Sequence, residues 1–277
     1  MGGVRLTARH RSDGSRAPWR CDVGVSTHLG LDRAENEDHF IIWAPRESRP
    51  LGSREFLLAV ADGMGGHAAG ARASHIATHE LLQTVASASP DDSPDRVLVN
   101  AFAAANQAVL ACADEQPAAH GMGTTLVAAA ILGPRMIVAN VGDSRCYLLR
   151  RGQLRRITED HTVARRMIEQ QQASGDEGLD PVALEASPFG HQLTRCIGVS
   201  AGEEPPDLFE VGLEPGDVIL LASDGLTGPV SDARVAESLD GEGSAWEIAN
   251  QLILAALEMG GPDNVTAVVA VLEPLTP

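Results

Sequence analysis

The sequence predicts an α+β protein built as a four-layer α-β-β-α sandwich, with two central, mainly antiparallel sheets flanked by helices. Three observations lead to this prediction. Apolar runs of strand length recur along the chain, and many are joined by connections of hairpin length. Several of these runs lack polar alternation, which indicates strands buried on both faces. Helical patterns occur in pairs at two places, which favours helices on both outer faces of two packed sheets.

The N-terminal half supplies the first strands and the first helix pair. Strands are predicted at 21–27, 39–44 and 56–62, and helical spacing of apolar residues covers 70–85. The second helix is predicted to begin at Ser93-Pro94, because serine caps a helix and proline suits its first turn, and to run to Cys112.

The C-terminal half supplies most of the strands. Four runs at 124–132, 136–141, 146–151 and 153–157 are joined by Gly-containing turns, and we expect them to form an antiparallel meander. Further strands are predicted at 207–213, 217–223 and 265–272, and helices at 233–239 and 245–259.

The domain organisation follows from length and composition. The chain has 277 residues, 44% of them hydrophobic, and no linker divides it, so we expect one domain at 21–277. Residues 1–20 contain five arginines and little apolar sequence, which predicts a flexible N-terminal arm. The polar and irregular segment 161–192 is predicted to be a flap over the core.

Charge and cysteine content exclude several classes of protein. The formal net charge of −17 argues against nucleic-acid binding, which needs a basic face. The four cysteines are widely spaced and form no CxxC or Cys/His cluster, so we expect no zinc site and a reducing compartment. No apolar run approaches membrane-spanning length and no signal peptide is evident, so we expect a cytoplasmic protein without a membrane span.

Three aspartates stand at the ends of apolar runs on three separated segments. Asp62 follows the run FLLAVA, Asp224 follows VILLAS, and Asp263 directly precedes NVTAVVAVL. A single Asp-Gly pair is also the commonest hairpin turn signal, and Asp240-Gly241 is interpreted as only that. Three acids at strand ends indicate a shared site.

Further acids, Glu37, Asp38 and Asp143, also fall in turns at strand ends. Converging carboxylates repel one another, and some would be protonated unless cations lie among them. All-oxygen ligands favour Mg²⁺ or Mn²⁺ over zinc. Two such ions would lower the pKa of a shared water, and phosphate is the natural electrophile. Arg33 is close in sequence and could hold two phosphate oxygens.

The motifs taken together resemble the metal-dependent serine/threonine protein phosphatases of the 2C type, in their bacterial branch. The resemblance spans about residues 22–272 and keeps the family's motif order. The motifs that carry it are Gly30, Arg33, Asn36-Glu37-Asp38, Asp62-Gly63-Met64-Gly65-Gly66-His67, Gly123-Thr124-Thr125, Gly142-Asp143-Ser144-Arg145, Thr158-Glu159-Asp160-His161, Leu193-Thr194-Arg195, Ser223-Asp224-Gly225 and Asp263-Asn264-Val265-Thr266.

The resemblance implies a role for each matching residue. Asp62 would bridge two Mn²⁺ or Mg²⁺ ions, and the Gly63 carbonyl would join one of them. Asp224 and Asp263 would complete the direct protein ligands. The remaining implied roles are water-mediated metal contacts for Glu37 and Asp38, phosphate binding for Arg33, and a third, weaker metal site at Asp143 with Asp224.

The histidines mark one departure from the animal members of the family. Those members carry a histidine, a proposed general acid, two residues after the bridging aspartate, where this chain has Met64. His67 follows Asp62 by five residues, as in the bacterial variant, and is a candidate either for acid catalysis or for positioning the substrate. The other histidines, including His161 and His191, are interpreted as structural.

The function implied by the resemblance is hydrolysis of phosphoserine and phosphothreonine in proteins, by attack of a metal-bridging water or hydroxide. The implied partners are phosphorylated proteins and a serine/threonine kinase that the enzyme would oppose in signal transduction, and we expect a monomer. Two alternatives stay open: a catalytically silent regulator that binds phosphoproteins, and a metal phosphohydrolase of small molecules. A silent relative would be expected to lack a core ligand, and none is missing here.

Overall fold

The computed structural model describes residues 2–7, 19–44, 55–65, 68–89, 91–115, 119–175, 178, 180–199 and 204–275. Within these residues the strands are β1 (Gly2–Thr7), β2 (Trp19–His28), β3 (Asp38–Trp43), β4 (Glu55–Met64), β5 (Gly123–Thr124), β6 (Leu126–Leu132), β7 (Arg135–Val141), β8 (Arg145–Arg150), β9 (Gln153–Arg156), β10 (Asp207–Gly212), β11 (Val218–Ala222) and β12 (Val265–Pro274). Helices α1 (Ala68–Ser87) and α2 (Pro94–Glu115) separate β4 from β5.

The remaining helices belong to the C-terminal half of the chain. They are α3 (Val163–Ser174), α4 (Pro181–Glu185), a 3-10 helix (Pro188–His191), α5 (Asp224–Thr227), α6 (Asp232–Leu239) and α7 (Ala245–Glu258). Their starts follow ordinary capping chemistry. Ser244, for example, accepts a hydrogen bond from the Glu247 backbone N–H while the Glu247 carboxylate accepts one from the Ser244 N–H, which fixes the first turn of α7.

The strands form two antiparallel sheets. One sheet has the order β1-β2-β12-β11-β8-β9, and the other has the order β10-β7-β6-β4-β3, with β5 paired to β4. In the second sheet Asp38 on β3 lies directly opposite Asp62 on β4. Two of the predicted acids are therefore neighbours through strand register alone.

The apolar core fills three spaces, one between the two sheets and one between each sheet and its outer helices. Strand β4 contributes side chains to two of these spaces. Leu58 and Val60 point into the space between the two sheets, whereas Leu57 and Ala59 point to the opposite side, toward α1 and α2. The outer face of the other sheet is covered by α6 and α7. Because both faces of β4 are buried, its sequence is continuously apolar. The predicted four-layer sandwich is confirmed.

Two local predictions differ from the structure. The expected four-strand meander is wrong at its centre, because β7 and β8 lie in different sheets and the chain crosses between them at Gly142–Ser144. The residues predicted as a loose arm include Gly2–Thr7, which pair with β2 as a strand, and Trp19, which begins β2. Residues 8–18 lie outside the described part of the chain.

The helix α2 is long and apolar enough, by length and composition, to cross a membrane. The expectation that no apolar run approaches that length was therefore wrong for this segment. In the structure α2 packs beside α1, and its residues Leu98, Phe102 and Val109 are buried in the core under the β4-containing sheet. A core helix passes the same test of length and composition.

The described residues of the segment 161–192 include three helices, α3, α4 and the 3-10 helix. Thr162 caps α3 by accepting a hydrogen bond from the Arg165 N–H, and Gly175 ends it in a left-handed conformation. Buried side chains within α3 are those of Ala164 and Ile168, and none is buried in α4 or the 3-10 helix. This shallow anchoring is what a flap requires, although its movement stays a prediction.

Candidate active site

The predicted acids gather at one end of the two sheets. Asp38 begins β3 opposite Asp62, and Asp224 follows β11 at the start of α5. Asp38 lies within electrostatic range of Asp224 and Asp263. The carboxyls of Asp62 and Asp224 are close enough to affect each other, and their interaction raises the pKa of Asp62 and lowers that of Asp224. The structure therefore brings together four of the predicted acids, Asp38, Asp62, Asp224 and Asp263. Asp143 is close enough for its charge to raise the pKa of Asp62.

Asp62 is held in place through its backbone. Its N–H donates to the Thr125 Oγ1 at 2.9 Å, and its carbonyl accepts from the Thr125 N–H at 2.9 Å and from the Thr124 hydroxyl at 2.8 Å. The Thr125 hydroxyl also contacts the Ser144 hydroxyl at 2.6 Å, beside Asp143. These contacts leave the Asp62 carboxylate available for a ligand while fixing the strand that carries it.

Asp38 carries the plainest sign that these residues suit a cation. Its Oδ2 accepts a hydrogen bond from the Ser223 hydroxyl at 2.7 Å. Its Oδ1 is buried, and no hydrogen-bond partner for it exists among the described residues. A buried carboxylate oxygen without a partner is costly, and a cation or its bound water would satisfy it.

The electrostatics of the cluster point the same way. The pKa of Asp38 is raised to about 7, first by burial and then by Asp224 and Asp263, although hydrogen bonds from Thr266 and Ser223 lower it. Burial, followed by the charges of neighbouring acids, raises the pKa of Asp62 well above its usual range. Acids that resist ionisation at neutral pH are expected where the charge of a cation belongs.

Asp143 and Asp224 show opposite shifts. Burial and then Asp224 and Asp160 raise the pKa of Asp143 to about 8. Burial also acts to raise the pKa of Asp224, but its interactions with His191 and with Asp62 outweigh burial and hold that pKa below its usual value. Asp224 therefore keeps its negative charge more readily than Asp143 does.

Arg33 stands at the rim of the cluster. Its Nη2 donates to Asp263 Oδ2 at 2.7 Å, and its side chain is 52% exposed. Asp263 also accepts a hydrogen bond at Oδ1 from the Asn264 N–H. The guanidinium thus lies beside a predicted metal ligand with much of its surface open to an incoming anion, which agrees with the predicted phosphate contact.

Asn264 fixes the loop that carries Arg33 and Glu37. Its Nδ2 donates to the carbonyls of Leu29 and Glu35, and its Oδ1 accepts from the Glu37 N–H, each at 2.8 Å. Asn264 belongs to one of the sequence motifs, but the motif alone does not indicate this role. A buried asparagine beside an acid is the signal that could have suggested it, because such a side chain must find several backbone partners.

Glycine is required where β4 meets α1. A Cβ built on Gly63 would lie 2.1 Å from the Gly70 carbonyl oxygen and 2.7 Å from the Glu37 carbonyl oxygen. A Cβ on Gly70 would lie 1.8 Å from the Glu37 Oε2, so the Glu37 carboxylate rests against α1. The close approach brings Glu37 and the predicted ligand Gly63 to the same corner of the site.

Two histidines, His67 and His191, bear on the prediction of the site. His67, the predicted catalytic histidine, lies outside the described residues. His191, interpreted from the sequence as structural, reaches the site instead: its Nδ1 is 3.6 Å from Asp224 Oδ2, and its pKa is raised, mainly by the nearby Asp224 carboxylate. The interpretation of His191 was wrong because spacing along the chain does not show that the 3-10 helix ends beside α5.

His161, the first residue of the predicted flap, ties the Asp143 turn to Asp207 at the start of β10. Its Nδ1 accepts from the Gly142 N–H at 3.0 Å, and its backbone N–H donates to the Gly142 carbonyl at 3.0 Å. Because Nδ1 accepts, the ring proton is on Nε2, which lies 3.1 Å from Asp207 Oδ2. Arg195 also contacts Asp207, at 2.7 Å. His161 is structural, as predicted, and its structural role is to hold the turn that carries Asp143.

Two substitutions of His161 should separate these contacts. His161→Asn keeps an oxygen near the position of Nδ1, whereas His161→Gln keeps an amide near Nε2 and loses the contact with Gly142. If the contact with Gly142 positions Asp143, the Gln variant should need roughly tenfold more Mn²⁺ than the wild type for half-maximal activity. The Asn variant should need less Mn²⁺ than the Gln variant. Melting temperatures of both variants provide the control. Equal losses of stability with unchanged Mn²⁺ requirements would contradict a positioning role.

The residues fit divalent cations with oxygen ligands. As they stand, no three acidic, histidine or cysteine side chains in the described ranges form a coordination shell, which is expected where like charges repel. The fit rests instead on the gathered carboxylates, their raised pKa values and the unpartnered Asp38 Oδ1. Hard oxygen ligands suit Mg²⁺ or Mn²⁺.

Comparisons with known proteins agree with this site. Residues 22–265 match the family model described as protein phosphatase 2C. The serine/threonine protein phosphatase PstP of Mycobacterium tuberculosis is 40% identical over 246 residues, which are 87% of this chain and 43% of that relative. The serine/threonine phosphatase stp of Listeria innocua is 33% identical over 87% of this chain and 91% of its own length.

A solved structure extends the comparison to the fold. The catalytic domain of PstP in complex with two manganese ions matches with a TM-score of 0.75 and 37% identity, over 91% of this chain and 98% of that one. This chain spans less than half the length of the full PstP relative. The family model covers most of the chain, so the chain belongs to the protein phosphatase 2C family.

Proposed function

We propose that this chain is a metal-dependent phosphoprotein phosphatase that hydrolyses phosphoserine and phosphothreonine. The observation that carries the proposal is the buried group of Asp38, Asp62 and Asp224, with Arg33 open to solvent at its rim. The group is arranged to hold cations, and the arginine is arranged to receive an anion. The names of the relatives as serine/threonine phosphatases support the same substrate class.

Each residue has a task in this proposal. Asp62, Asp224, Asp263 and the Gly63 carbonyl would hold two Mn²⁺ or Mg²⁺ ions, with Glu37 and Asp38 acting through water and Asp143 serving a third site. Ions bound there would supply a water of lowered pKa and would neutralise charge on the phosphate. Arg33 binds and orients the phosphate, and its contact with Asp263 places that phosphate next to the metal ligands.

The setting of the reaction is also a proposal. All four cysteines are free, which supports a reducing compartment such as the cytoplasm. The proposed substrates are phosphorylated proteins, and the proposed counterpart is a serine/threonine kinase. We further propose that the chain acts as a monomer.

Phosphate release from two kinds of substrate tests this proposal. With saturating Mn²⁺, a phosphothreonine peptide should be hydrolysed with a much higher kcat/KM than ATP or other nucleotides. A preference for nucleotides would favour a small-molecule phosphohydrolase. Tight binding of the phosphopeptide without any release of phosphate would favour a silent regulatory relative.

Arg33→Ala should raise the KM for the phosphopeptide and lower kcat to a smaller degree. Loss of charge-assisted hydrogen bonds to phosphate is worth about 1.5–3 kcal/mol, so kcat/KM should fall roughly tenfold to a hundredfold. Arg33→Lys is the matched control, because it keeps the charge but loses the planar fork. Its kcat/KM should lie between those of the wild type and the Ala variant. Every assay contains saturating Mn²⁺, so that a change in metal affinity at Asp263 does not affect the measured rate. An unchanged kcat/KM in the Ala variant would exclude Arg33 from the site.

A further inference from the structure

Three histidines lie together on the outer side of the β3–α1 junction, apart from the carboxylate cluster. His75 and His79 are one helical turn apart on α1 and are exposed. His39 is on β3, is half-buried, and its ring meets that of His75 edge to face with a centroid distance of 4.9 Å. The rings of His75 and His79 are parallel with centroids 6.3 Å apart. The proposed phosphatase reaction uses none of the three.

The hydrogen bonds of Thr78 fix the state of the His39 ring. The Thr78 hydroxyl has one hydrogen to donate. Its oxygen lies 2.8 Å from the oxygen of the Ser74 carbonyl, which can only accept. The same hydroxyl oxygen lies 2.8 Å from His39 Nδ1. With its hydrogen used by Ser74, the hydroxyl accepts from His39, so the ring proton is on Nδ1. The Nε2 of His39 therefore carries a free lone pair, which is the state of a metal-ligating histidine whose second nitrogen is anchored.

The spacing of the rings suits a shared ion. Zinc binds imidazole nitrogen at about 2.0–2.1 Å, so two imidazoles in a tetrahedral shell have centroids about 5 Å apart. The His39–His75 distance of 4.9 Å already has this value, and the His75–His79 distance of 6.3 Å exceeds it modestly. The three rings do not surround one point as they stand. The exposed rings of His75 and His79 can turn toward His39 by side-chain rotation, with the backbone unchanged.

We propose that His39, His75 and His79 form a second metal site, which takes a divalent ion of borderline softness such as Zn²⁺. Imidazole ligands favour Zn²⁺, Ni²⁺ or Cu²⁺ over the Mg²⁺ and Mn²⁺ that suit the carboxylate cluster. An ion at this place links β3 to α1 and stabilises the junction between them. The expectation of no zinc site rested on the absence of a CxxC motif or Cys/His cluster along the sequence, and such patterns do not reveal histidines that a strand and a helix bring together.

Zinc binding to tag-free protein tests the site. The wild type and the double variant His75→Gln/His79→Gln are each titrated with Zn²⁺ in saturating Mg²⁺, with bound zinc measured after gel filtration. The wild type should bind one equivalent more than the double variant, and Zn²⁺ should raise its melting temperature further. Both substituted residues are exposed, so the variant should fold normally. Equal stoichiometry and equal thermal shifts in the two proteins would overturn the site.

Two single variants sharpen the test. His120→Gln removes an exposed histidine elsewhere and should leave the zinc stoichiometry unchanged; a loss equal to that of the double variant would mean non-specific binding and would also overturn the proposal. Thr78→Val keeps the shape of Thr78 but removes the partner of His39 Nδ1. It should weaken zinc binding about tenfold to a hundredfold. Unchanged affinity in Thr78→Val would remove His39 from the ligand set.

Discussion

Asp62→Asn should abolish phosphatase activity and at the same time raise the melting temperature of the metal-free protein. Removing the acid predicted to bridge the ions should cost several kcal/mol of transition-state stabilisation, or at least about a thousandfold in rate. The metal-free protein holds Asp62 buried beside Asp38 and Asp224, and its raised pKa means that folding opposes its ionisation. Asparagine removes that cost at nearly constant shape, so the melting temperature should rise by about 2–4 °C for each kcal/mol recovered.

A matched buried acid provides the control. Asp217 is 1% exposed and is paired with Arg150 at 2.6 Å. Asp217→Asn should lower the melting temperature, because it removes the charge of a buried carboxylate that is paired with Arg150, and should leave the Mn²⁺-induced shift intact. Asp62→Asn should lose that shift. Scanning fluorimetry in EDTA and in Mn²⁺ measures all of these changes. A metal-free Asp62→Asn protein that melts below wild type would mean that the carboxylate has been misplaced.

Metal-free wild type should become less stable relative to Asp143→Asn as the pH rises from about 4 to about 8. The unfolded chain ionises Asp143 near its ordinary pKa of 3.8, whereas the folded chain keeps the proton up to about 8. Within that window the unfolded state is favoured progressively, by at most about 1.4 kcal/mol for each pH unit. The comparison between two proteins cancels the contributions of titrating groups that lie far from Asp143, whereas the coupled acids nearby change together with it.

Urea unfolding of both proteins in EDTA at several pH values measures this difference. The advantage of Asp143→Asn should be smallest at pH 4 and largest near pH 8. In saturating Mn²⁺ it should shrink, because a bound ion favours the ionised carboxylate in the folded state. A difference in free energy of unfolding that stays constant across the pH range would show that Asp143 has an ordinary pKa.

The fold could be predicted from sequence where burial alone decides structure. Continuous apolar runs such as 57–61 reveal strands covered on both faces, and paired helical patterns reveal the outer layers. The exchange of sheets between β7 and β8 could not be predicted, because a short Gly-containing turn has the same composition whether it closes a hairpin or crosses between sheets. The pairing of Gly2–Thr7 with β2 was equally hidden, since a polar edge strand lacks the apolar pattern.

The site was predictable to the extent that its residues stand at strand ends. Asp62 and Asp224 were found in this way, and register then explains why Asp38 lies opposite Asp62. The supporting residues are different, because Ser223 and Asn264 act through hydrogen bonds to distant segments that no local pattern encodes. His191 was missed for the same reason, since its contact with Asp224 depends on the path of the whole 161–192 segment.

Phosphate release from a phosphothreonine peptide, before and after removal of metal, tests the central claim most directly. After exhaustive treatment with EDTA the protein should release no phosphate above background, and Mn²⁺ or Mg²⁺ should restore the activity. Asp62→Asn measured in parallel should stay inactive after Mn²⁺ is added. Full activity in the EDTA-treated wild type would contradict the account, because the gathered carboxylates would then have no part in supplying the nucleophile.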